Sequence, residues 1–269
     1  AEPNNLPVKF PLLLAQGVEG IGVGLSTKIL PHNFNELISA SVAYLNGKSF
    51  QVFPDFLTAG FLDVSEYNDG HRGGKVRARA KISQVDKHTL MISELPFSKT
   101  TTDLIDSVLK ANEKGKIKIK KIEDNTSDKV EILIYLHNEV SPDKTIDALY
   151  AFTDCQVTIS PNACVIVGDK PMFLDVSTIL KMNTDHTVSL LKKELEIELH
   201  ELQESWHFSS LERIFIENRI YHDIEEVKSW EEVLKTIDIG LKPHTTHLLR
   251  EVTEQDIFRL TEITIIRIS

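Results

Sequence analysis

Residues Gly17 to Gly24 read Gly-Val-Glu-Gly-Ile-Gly-Val-Gly, and Pro31-His32-Asn33 follows shortly after them. Four glycines in eight residues give a backbone that can adopt positive φ angles and approach another molecule closely. Ile21 stands among these glycines, and its β-branched side chain is stiff at χ1. A rigid apolar side chain on such a loop is suited to wedge between the base steps of a DNA duplex from the minor groove.

Two other interpretations of this glycine-rich stretch are a phosphate-binding loop and an ordinary buried turn. A dinucleotide-binding loop follows a strand and opens a helix, whereas these glycines continue into residues 26–31, which read as more loop. The wedge is therefore favoured over the buried turn, and the phosphate loop ranks below both.

Length and composition indicate a folded protein of two or more structural units, since 269 residues are many for one core. The chain is 41% hydrophobic and 26% charged, and it contains no apolar run long enough to span a membrane. Without an initiator Met or a signal-peptide pattern, we expect a piece of a longer protein. Because the chain has only two cysteines, a reducing cytoplasm is expected. Cys155 and Cys164 lack metal-site spacing, and we expect two reduced thiols that face each other in the core.

The charge is unevenly distributed along the chain. Residues 1–135 carry 17 Lys and Arg against 16 Asp and Glu, a balance of +1. Residues 136–269 carry 13 against 24, a balance of −11 within the total of −10. We therefore expect any nucleic-acid face in the first half, and we expect the acidic half to contact protein or water.

Two basic strands are predicted from alternation in the first half of the chain. In residues 76–82, apolar side chains alternate with Arg77, Arg79 and Lys81, so the open face of this strand is entirely cationic. In residues 116–122, isoleucines interleave with lysines. If both strands belong to one sheet, its basic face is able to run along phosphates. For the lysine-rich strand, a solvated face that discourages edge pairing is slightly favoured over DNA contact.

The remaining elements predict an α+β layer with helices gathered on one face. A helix is expected from a cap at Asn33 or Asn35 to Asn46-Gly47. The other predicted elements are strands over 89–93 and 130–136, helices over 101–112 and 142–152, and a hairpin pairing 156–159 with 164–167.

From Val176 onward the pattern becomes helical. Leucines recur at three- and four-residue steps along residues 176–206, which predicts a long amphipathic helix with a narrow stripe suited to a two-helix seam. Further helices are predicted over 211–221, 230–239 and 253–268, with Thr253 and Asp256 forming a variant capping box.

The order and spacing of several blocks resemble the breakage-reunion subunit of bacterial type IIA DNA topoisomerases. The blocks are Leu6 to Pro11, Gly20 to Gly24, Pro31-His32-Asn33, Pro54-Asp55-Phe56, Glu94-Leu95-Pro96-Phe97 and Thr253-Glu254-Gln255. The chain departs from the family pattern at Leu57, where a second proline is usual, and in Arg72-Gly73-Gly74-Lys75, which has an extra glycine. Within the family, residues 68–70 and 114–121 look more like topoisomerase IV than gyrase.

The resemblance implies an α+β fold in three parts. Residues 1–175 would form a tower-type mixed sheet with helices on one face and the intercalating loop. Residues 176–206 would form a long coiled-coil helix, and residues 207–269 a small all-α exit-gate globule used for dimerisation. The returning helix of the coiled coil would come after Ser269, so the exit gate is expected to be truncated.

The resemblance also implies a DNA-binding and DNA-bending role, with Ile21 as the intercalating residue. His32 and Asn33 would contact the sugar-phosphate backbone or simply tie the turn, and the sequence leaves both open. The implied DNA-binding residues are Gly20, Ile21, Gly22, Lys28, His32, Asn33, Arg72, Lys75, Arg77 and Arg79.

Catalysis in this family uses a tyrosine beside an arginine on an upstream winged helix. None of the five tyrosines here follows an arginine, so no catalytic residue is expected in this chain. No metal or cofactor is expected on it either, since Mg²⁺ and ATP would be bound by the partner subunit. The implied partners are double-stranded DNA, a second copy of the chain and the topoisomerase B (ATPase) subunit.

An alternative interpretation is a protein-interaction module with a helical arm and no DNA role, which the acidic second half favours. An independent enzyme ranks third, because the sequence offers no convergent nucleophile, base and pocket signature.

Overall fold

The structure is a computed structural model that describes residues 7–263. The chain divides into two compact units, Ala1–Val188 and Ser189–Ser269, and each is described by itself. Across the described range, no helix is both long enough and apolar enough to cross a membrane.

Strands are confined to the first unit, as far as residues 7–263 show. They are β1 (Val18–Ile21), β2 (Ser26–Ile29), β3 (Phe61–Asp63), β4 (Val76–Arg79), β5 (Lys81–Asp86), β6 (Thr89–Glu94), β7 (Ile119–Asp124), β8 (Ile132–Leu136), β9 (Gln156–Ile159), β10 (Cys164–Val167) and β11 (Lys170–Phe173). The α-helices are α1 (Leu12–Gln16), α2 (Phe34–Leu45), α3 (Thr101–Glu113), α4 (Pro142–Phe152), α5 (Val176–Glu217), α6 (Ile220–Asp223), α7 (Trp230–Leu241) and α8 (Glu254–Thr261). Short 3₁₀ turns lie at Asn68–Gly70 and Lys242–His244.

The strands of the first unit form four antiparallel sheets. Two are hairpins, β1-β2 and β10-β11, and the others have the orders β3-β4-β9 and β5-β6-β8-β7. One core lies around α2, β4 and the first turns of α5, and includes Leu14, Leu37 and Leu180. A second core lies between the four-stranded sheet and α3 and α4, and includes Leu90, Leu104 and Ile134. The α+β class predicted from the sequence is confirmed, but the expected mixed sheet is wrong, since the strands form four separate sheets and every pairing is antiparallel.

The predicted basic strand over residues 76–82 is two strands, not one. Its chain leaves the three-stranded sheet after Arg79 and enters the four-stranded sheet at Lys81. Ala80 lies between the two strands, and its N–H donates to the carbonyl of Cys155, the residue before β9, at 2.8 Å. The lysine-rich strand β7 lies in the four-stranded sheet, so β4 and β7 do not share a sheet. Alternation indicates which side chains of a strand are buried, and either sheet could bury them. It does not indicate which strand is the pairing partner.

The predicted pairing of residues 156–159 with residues 164–167 is also wrong. Strand β9 pairs with β4, and β10 pairs with β11. Both cysteines are free, as expected, but only Cys155 is buried, and Cys164 is half-buried. Burial raises the pKa of the Cys155 thiol to about 11.

The second unit is helical over its described residues. Helix α5 ends at Glu217 rather than at residue 206, and Arg219 follows with a φ of 53°. The helix predicted over residues 211–221 is therefore the end of α5 and the short α6. The predicted capping box of Thr253 and Asp256 is confirmed, whereas residues 264–268 of that predicted helix lie outside the described residues. The core of this unit contains Leu211, Phe215, Ile237, Leu241 and Leu260.

A buried carboxylate joins two elements of the second unit. Asp256 accepts hydrogen bonds from Arg250 at 2.6 and 3.0 Å, and Arg250 also binds both carboxylate oxygens of Glu204 on α5. Although burial opposes the shift, hydrogen bonds from Arg250 and Thr253 hold the pKa of Asp256 well below its usual range. The apolar stripe of α5 is exposed, with Leu195 66% and Leu202 61% accessible. Its use as a two-helix seam remains a prediction.

Candidate nucleic-acid interface

The glycine-rich stretch forms a β-hairpin whose tip projects into solvent. Strands β1 and β2 pair from Val18–Ile29 to Ile21–Ser26, and the turn is closed by the Gly22 N–H donating to the Leu25 carbonyl at 2.8 Å. The side chain of Ile21 is 92% exposed, and that of Val23 is fully exposed. Residues 26–29, expected to be loop, are the second strand of this hairpin.

Gly20 and Gly22 flank Ile21, and no contact with a described residue requires glycine at either position. Neither has a positive φ angle. A Cβ at Gly20 would lie 3.8 Å from Thr27, and a Cβ at Gly22 would lie 3.6 Å from the Leu25 carbonyl, both ordinary contacts. The absence of side chains beside Ile21 therefore leaves its backbone open to close approach from outside.

Asn162 anchors the hairpin, a role that no local sequence pattern indicates. Its backbone N–H and C=O exchange hydrogen bonds with Lys28 at 2.9 and 2.8 Å, and its side-chain amide donates to the Ser26 carbonyl at 2.8 Å. The hydroxyl of Thr27 also donates to the Asn162 carbonyl at 3.3 Å. The turn at residues 160–162, predicted only as a hairpin connection, thus fixes the strand that carries the tip.

Lys28, predicted as a DNA contact, lies on the hairpin stem. Its ammonium group forms an ion pair with Glu19 on the opposite strand at 3.0 Å. Its side chain is about one-third exposed. The charge of Lys28 is therefore partly neutralised within the hairpin.

His32 is buried, which corrects the expectation that it contacts DNA. Its side chain is only 4% exposed. Nδ1 donates to the Leu14 carbonyl at 3.0 Å, and Nε2 accepts from the Tyr67 hydroxyl at 3.3 Å. Burial lowers the pKa of His32, so the ring is held neutral as a link between α1 and the 3₁₀ turn.

Asn33 caps helix α2, as one of the two alternatives anticipated. Its side-chain oxygen accepts hydrogen bonds from the N–H groups of Asn35 and Glu36, and its amide donates to Asp55 at 3.1 Å. Both ends of the side-chain amide are therefore occupied within the chain. The alternative in which His32 and Asn33 tie the turn matches these contacts.

The loop that precedes β4 presents Arg72 and Lys75, and we call residues 71–75 the glycine loop. Both side chains are exposed, and neither forms an ion pair with any residue in the range 7–263. Arg72 lines a cleft of about 330 Å³ together with Gly22, Gly24, Ser26, Asn162 and Phe173. The guanidinium of Arg72, which has no ion-pair partner among the described residues, therefore lies beside the turn of the hairpin.

Close packing fixes the conformation of the glycine loop. A Cβ at Gly74 would lie 2.3 Å from the Tyr67 carbonyl oxygen, which leaves room for no other residue. The preceding turn is left-handed, with φ of 49° at both Asn68 and Asp69. Asp69 accepts a hydrogen bond from the N–H of Ser177 at 3.3 Å, which ties this turn to the start of α5.

Strand β4 differs from the glycine loop because its cations already have partners. Arg77 binds Asp63 at 3.0 Å and Glu66 at 3.1 Å. Arg79 donates to Gln156 at 2.6 Å, and its guanidinium lies 5.1 Å from the ring centroid of Tyr150. The open face of this strand is thus a set of internal ion pairs and hydrogen bonds, not the uniformly cationic face that was predicted.

The ion pair with Arg77 helps to lower the pKa of Asp63. Hydrogen bonds from Ser65, followed by the bond from Arg77, lower the pKa of this carboxyl to about 2. Asp63 comes from β3, which pairs with β4 in the register Asp63–Arg77. The sequence contained both charges, but their cross-strand pairing depends on a sheet order that alternation does not predict.

Within residues 7–263, four of the five tyrosine hydroxyls have hydrogen-bond partners. Tyr44 binds Asp185, Tyr135 binds Glu123, Tyr150 donates to the Ala80 carbonyl, and Tyr67 donates to His32. Among these four, Tyr150 lies against an arginine, Arg79. Burial raises the pKa of Tyr150, which is the opposite of the lowered pKa that activates a nucleophile. Among the described residues, no group of three or more His, Cys, Asp and Glu side chains is placed to hold a metal ion.

Comparisons with known proteins agree on one family. The family model for the A subunits of DNA gyrase and topoisomerase IV matches residues 1–269. The A subunit of DNA topoisomerase 4 from Borreliella burgdorferi is 40% identical over 268 residues, which is 100% of this chain and 42% of that relative. The DNA gyrase A subunit from Chlamydia pneumoniae is 30% identical over 77% of this chain and 27% of its own length. That from Brachyspira hyodysenteriae is 28% identical over 84% of this chain and 29% of its own length.

The chain thus spans less than half of each of these relatives. The match of the family model covers the whole chain, including the hairpin, the glycine loop and α5. On that evidence the chain belongs to the family formed by the A subunits of DNA gyrase and topoisomerase IV.

Proposed function

We propose that this chain is the DNA-binding and DNA-bending part of the breakage-reunion subunit of a type IIA DNA topoisomerase, most similar to topoisomerase IV. The observation that carries the proposal is the side chain of Ile21, 92% exposed at the end of a hairpin. An apolar side chain stabilises a fold when folding buries it away from water. Almost none of the surface of the Ile21 side chain is buried, so it contributes little to the fold. Its placement therefore serves contact with another molecule.

The contacts around Ile21 fit a minor-groove wedge. The neighbouring Gly20 and Gly22 allow the backbone to approach the sugars closely, and Arg72 and Lys75 would neutralise phosphates beside the groove. Inserting an apolar side chain between base steps costs a few kcal/mol of unstacking per step. A duplex that is already bent or nicked has lost part of that stacking, so the wedge should prefer it.

The wider role rests on the family. In the intact protein, residues 1–175 would act as the tower, α5 as a coiled-coil helix and residues 207–269 as the exit gate where two copies meet. The B subunit would bind ATP and Mg²⁺ and power double-strand passage. The catalytic tyrosine would lie outside this chain, so the chain alone should not cleave supercoiled plasmid.

The test compares binding to a nicked or pre-bent duplex with binding to an intact duplex of the same sequence. We expect weak binding that falls steeply with salt, with a preference for the bent duplex. The Ile21→Ala variant should lose most of that preference without loss of stability. Ile239→Ala is the matched control, because Ile239 is also exposed, at 65%, but lies on α7 of the second unit. An equal effect of the two substitutions would contradict the wedge.

A protein-interaction module is the second candidate, and the commitment of the β4 cations to internal partners favours it. The same assay separates the two. A chain that ignores duplex DNA at low salt would act as a module, and plasmid cleavage by the chain alone would reveal a nucleophile that neither interpretation includes.

A further inference from the structure

The hairpin that carries Ile21 has little stability of its own. Strands β1 and β2 form a separate two-stranded sheet with four residues in each strand, and an isolated hairpin of this kind is at best marginally stable in water. Glycine weakens a strand further, and Gly20 lies in β1 next to Ile21. A fixed orientation of the tip therefore requires support from outside the hairpin.

The stem of the hairpin receives this support at residues 27 and 28. The main chain of Asn162 forms an antiparallel bridge with Lys28. The hydroxyl of Thr27 donates to the Asn162 carbonyl at 3.3 Å and accepts from the Cys164 N–H at 3.2 Å. These bonds fix β2 to the rest of the first unit.

The side chain of Asn162 extends the support to the end of the ladder. Its Nδ2 donates to the Ser26 carbonyl at 2.8 Å. Ser26 is the cross-strand partner of Ile21, at the last paired position before the turn. One hydrogen bond therefore holds the residue directly opposite the wedge.

The Ser26 carbonyl also fixes which way the Asn162 amide points, because a carbonyl oxygen can only accept. The other end of the amide, Oδ1, is buried and has no hydrogen-bond partner among the described residues. A flipped amide would place Oδ1 against the Ser26 oxygen. The fold therefore leaves one acceptor unsatisfied and keeps the bond to Ser26, although buried acceptors are usually paired.

The same segment is joined to the turn before the glycine loop. Ala163, the residue after Asn162, donates its N–H to the Gly70 carbonyl at 3.3 Å. Asn162 and Arg72 line the same cleft. The segment thus sets the spacing between the wedge and a cation that has no ion-pair partner in the described range.

We infer that Asn162 is a positioning residue for the wedge, and that the preference for bent duplex DNA depends on its bond to Ser26. The inference rests on the proposed function, because it assumes that Ile21 inserts into DNA. Without the bond, the tip is ordered only when it binds, and that ordering reduces the affinity. The loss falls on the bent duplex, into which the wedge inserts, and not on phosphate contacts that both duplexes share.

The test removes the amide of Asn162 and keeps its main-chain bridge. Asn162→Ala deletes the side chain, and Asn162→Leu replaces the amide with an apolar group of similar size. Asn46→Ala is the matched control, because the Asn46 amide also donates to a main-chain carbonyl of the first unit, that of Val42, at 2.8 Å. Affinities for pre-bent and straight duplexes are measured by fluorescence anisotropy over a salt series.

Both Asn162 variants should lower the ratio of bent to straight affinity by about fivefold, the equilibrium factor that one hydrogen bond is worth. The salt slope should not change, because no charge is removed. A base analogue whose emission rises on unstacking, placed at the bent step, should brighten with the unmodified chain and much less with Asn162→Leu. Adding Asn162→Leu to Ile21→Ala should cause no further loss of preference, because the wedge is already absent.

Thr27→Val tests the same support if both Asn162 variants fail to fold. It removes the hydroxyl bonded to Asn162 and Cys164 and keeps a β-branched side chain that favours a strand. The affinity ratio should fall in the same direction but by less, since the bond to Ser26 remains. An unchanged ratio in a folded Thr27→Val chain would contradict the inference.

The outcomes separate this inference from the proposed function. If the unmodified chain has no preference for bent DNA, both fail. If Ile21→Ala loses the preference and the Asn162 variants keep it, only this inference fails. It also fails if affinity falls equally on both duplexes, if the double variant loses more than Ile21→Ala, or if Asn46→Ala has as large an effect.

Discussion

The glycine loop and strand β4 are adjacent in the chain, and both carry cations, but only one of them keeps its charges available. Arg72 and Lys75 project from the loop without ion-pair partners in the described residues. Arg77 and Arg79 lie on the strand and are bound to Asp63, Glu66 and Gln156. The difference teaches that a basic pattern in a sequence is not the same as a basic surface, because cross-strand neighbours can neutralise it.

The largest expected effect on the difference between the glycine loop and β4 comes from a substitution that disturbs the packing of the glycine loop. Gly74→Ala places a Cβ 2.3 Å from the Tyr67 carbonyl oxygen, a backbone atom that cannot move aside cheaply. We expect a loss of about 3 kcal/mol in the free energy of unfolding, measured by urea denaturation, together with weaker DNA binding.

Gly73→Ala is the control for that substitution. Nothing lies within 4 Å of a Cβ at Gly73, so its cost is limited to its φ of 95°. That cost should be about 1–2 kcal/mol. Equal losses for the two variants would show that close packing does not hold the loop. Unchanged DNA affinity in a folded Gly74→Ala variant would show that the loop is not a DNA contact.

A smaller effect compares the charges directly. Replacing Arg72 and Lys75 with Gln should lower the magnitude of the salt slope of DNA binding by about 1.8, the value for two lost phosphate contacts. Replacing Arg77 and Arg79 with Gln removes the same charge, and it should change the slope by less than half as much. A larger effect from the strand pair would restore β4 as the main phosphate contact.

The smallest effect sharpens the account of β4 through its pH dependence. The pKa of Asp63 is lowered to about 2 in the folded chain, from about 4 in an unfolded one. A depressed pKa stabilises the fold above the unfolded value, and that contribution is lost as pH falls through the folded value. Arg77→Gln removes part of it, so the stability gap to the unmodified chain should be widest above about pH 4 and narrow toward about pH 2.

Thermal unfolding of both proteins across that range measures the gap. Asp63→Asn should remove most of its pH dependence. A gap that stays constant from about pH 5 to about pH 2 would mean that Arg77 does not act through Asp63.

Local signals in the sequence were sufficient for elements whose determinants lie within a few residues. The capping box at Thr253 and the helices over residues 101–112 and 142–152 are confirmed, and of the two caps left open for α2 the structure uses Asn33. The two caps depend on side chains that bind backbone groups within one turn.

Sheet membership could not be predicted, because it depends on residues far apart in the chain. At the change of sheet, Ala80 donates to the carbonyl of Cys155, and the hairpin is anchored by Asn162 pairing with Lys28. The two roles left open for His32 could not be separated for the same reason, since its partners Leu14 and Tyr67 lie far from it in the sequence. The proposed contacts at Ile21, Arg72 and Lys75 remain predictions, as do the coiled-coil and exit-gate parts.

The exposure of Ile21 and Val23 has an evolutionary consequence. Neither side chain is buried, so a substitution at position 21 or 23 should change the stability of the fold very little. Selection for folding alone therefore hardly constrains these positions. Any constraint on these two positions among related organisms would therefore record only what the tip touches. Sequence variation at the tip therefore reports on the ligand without the stability effects that accompany substitutions at buried positions.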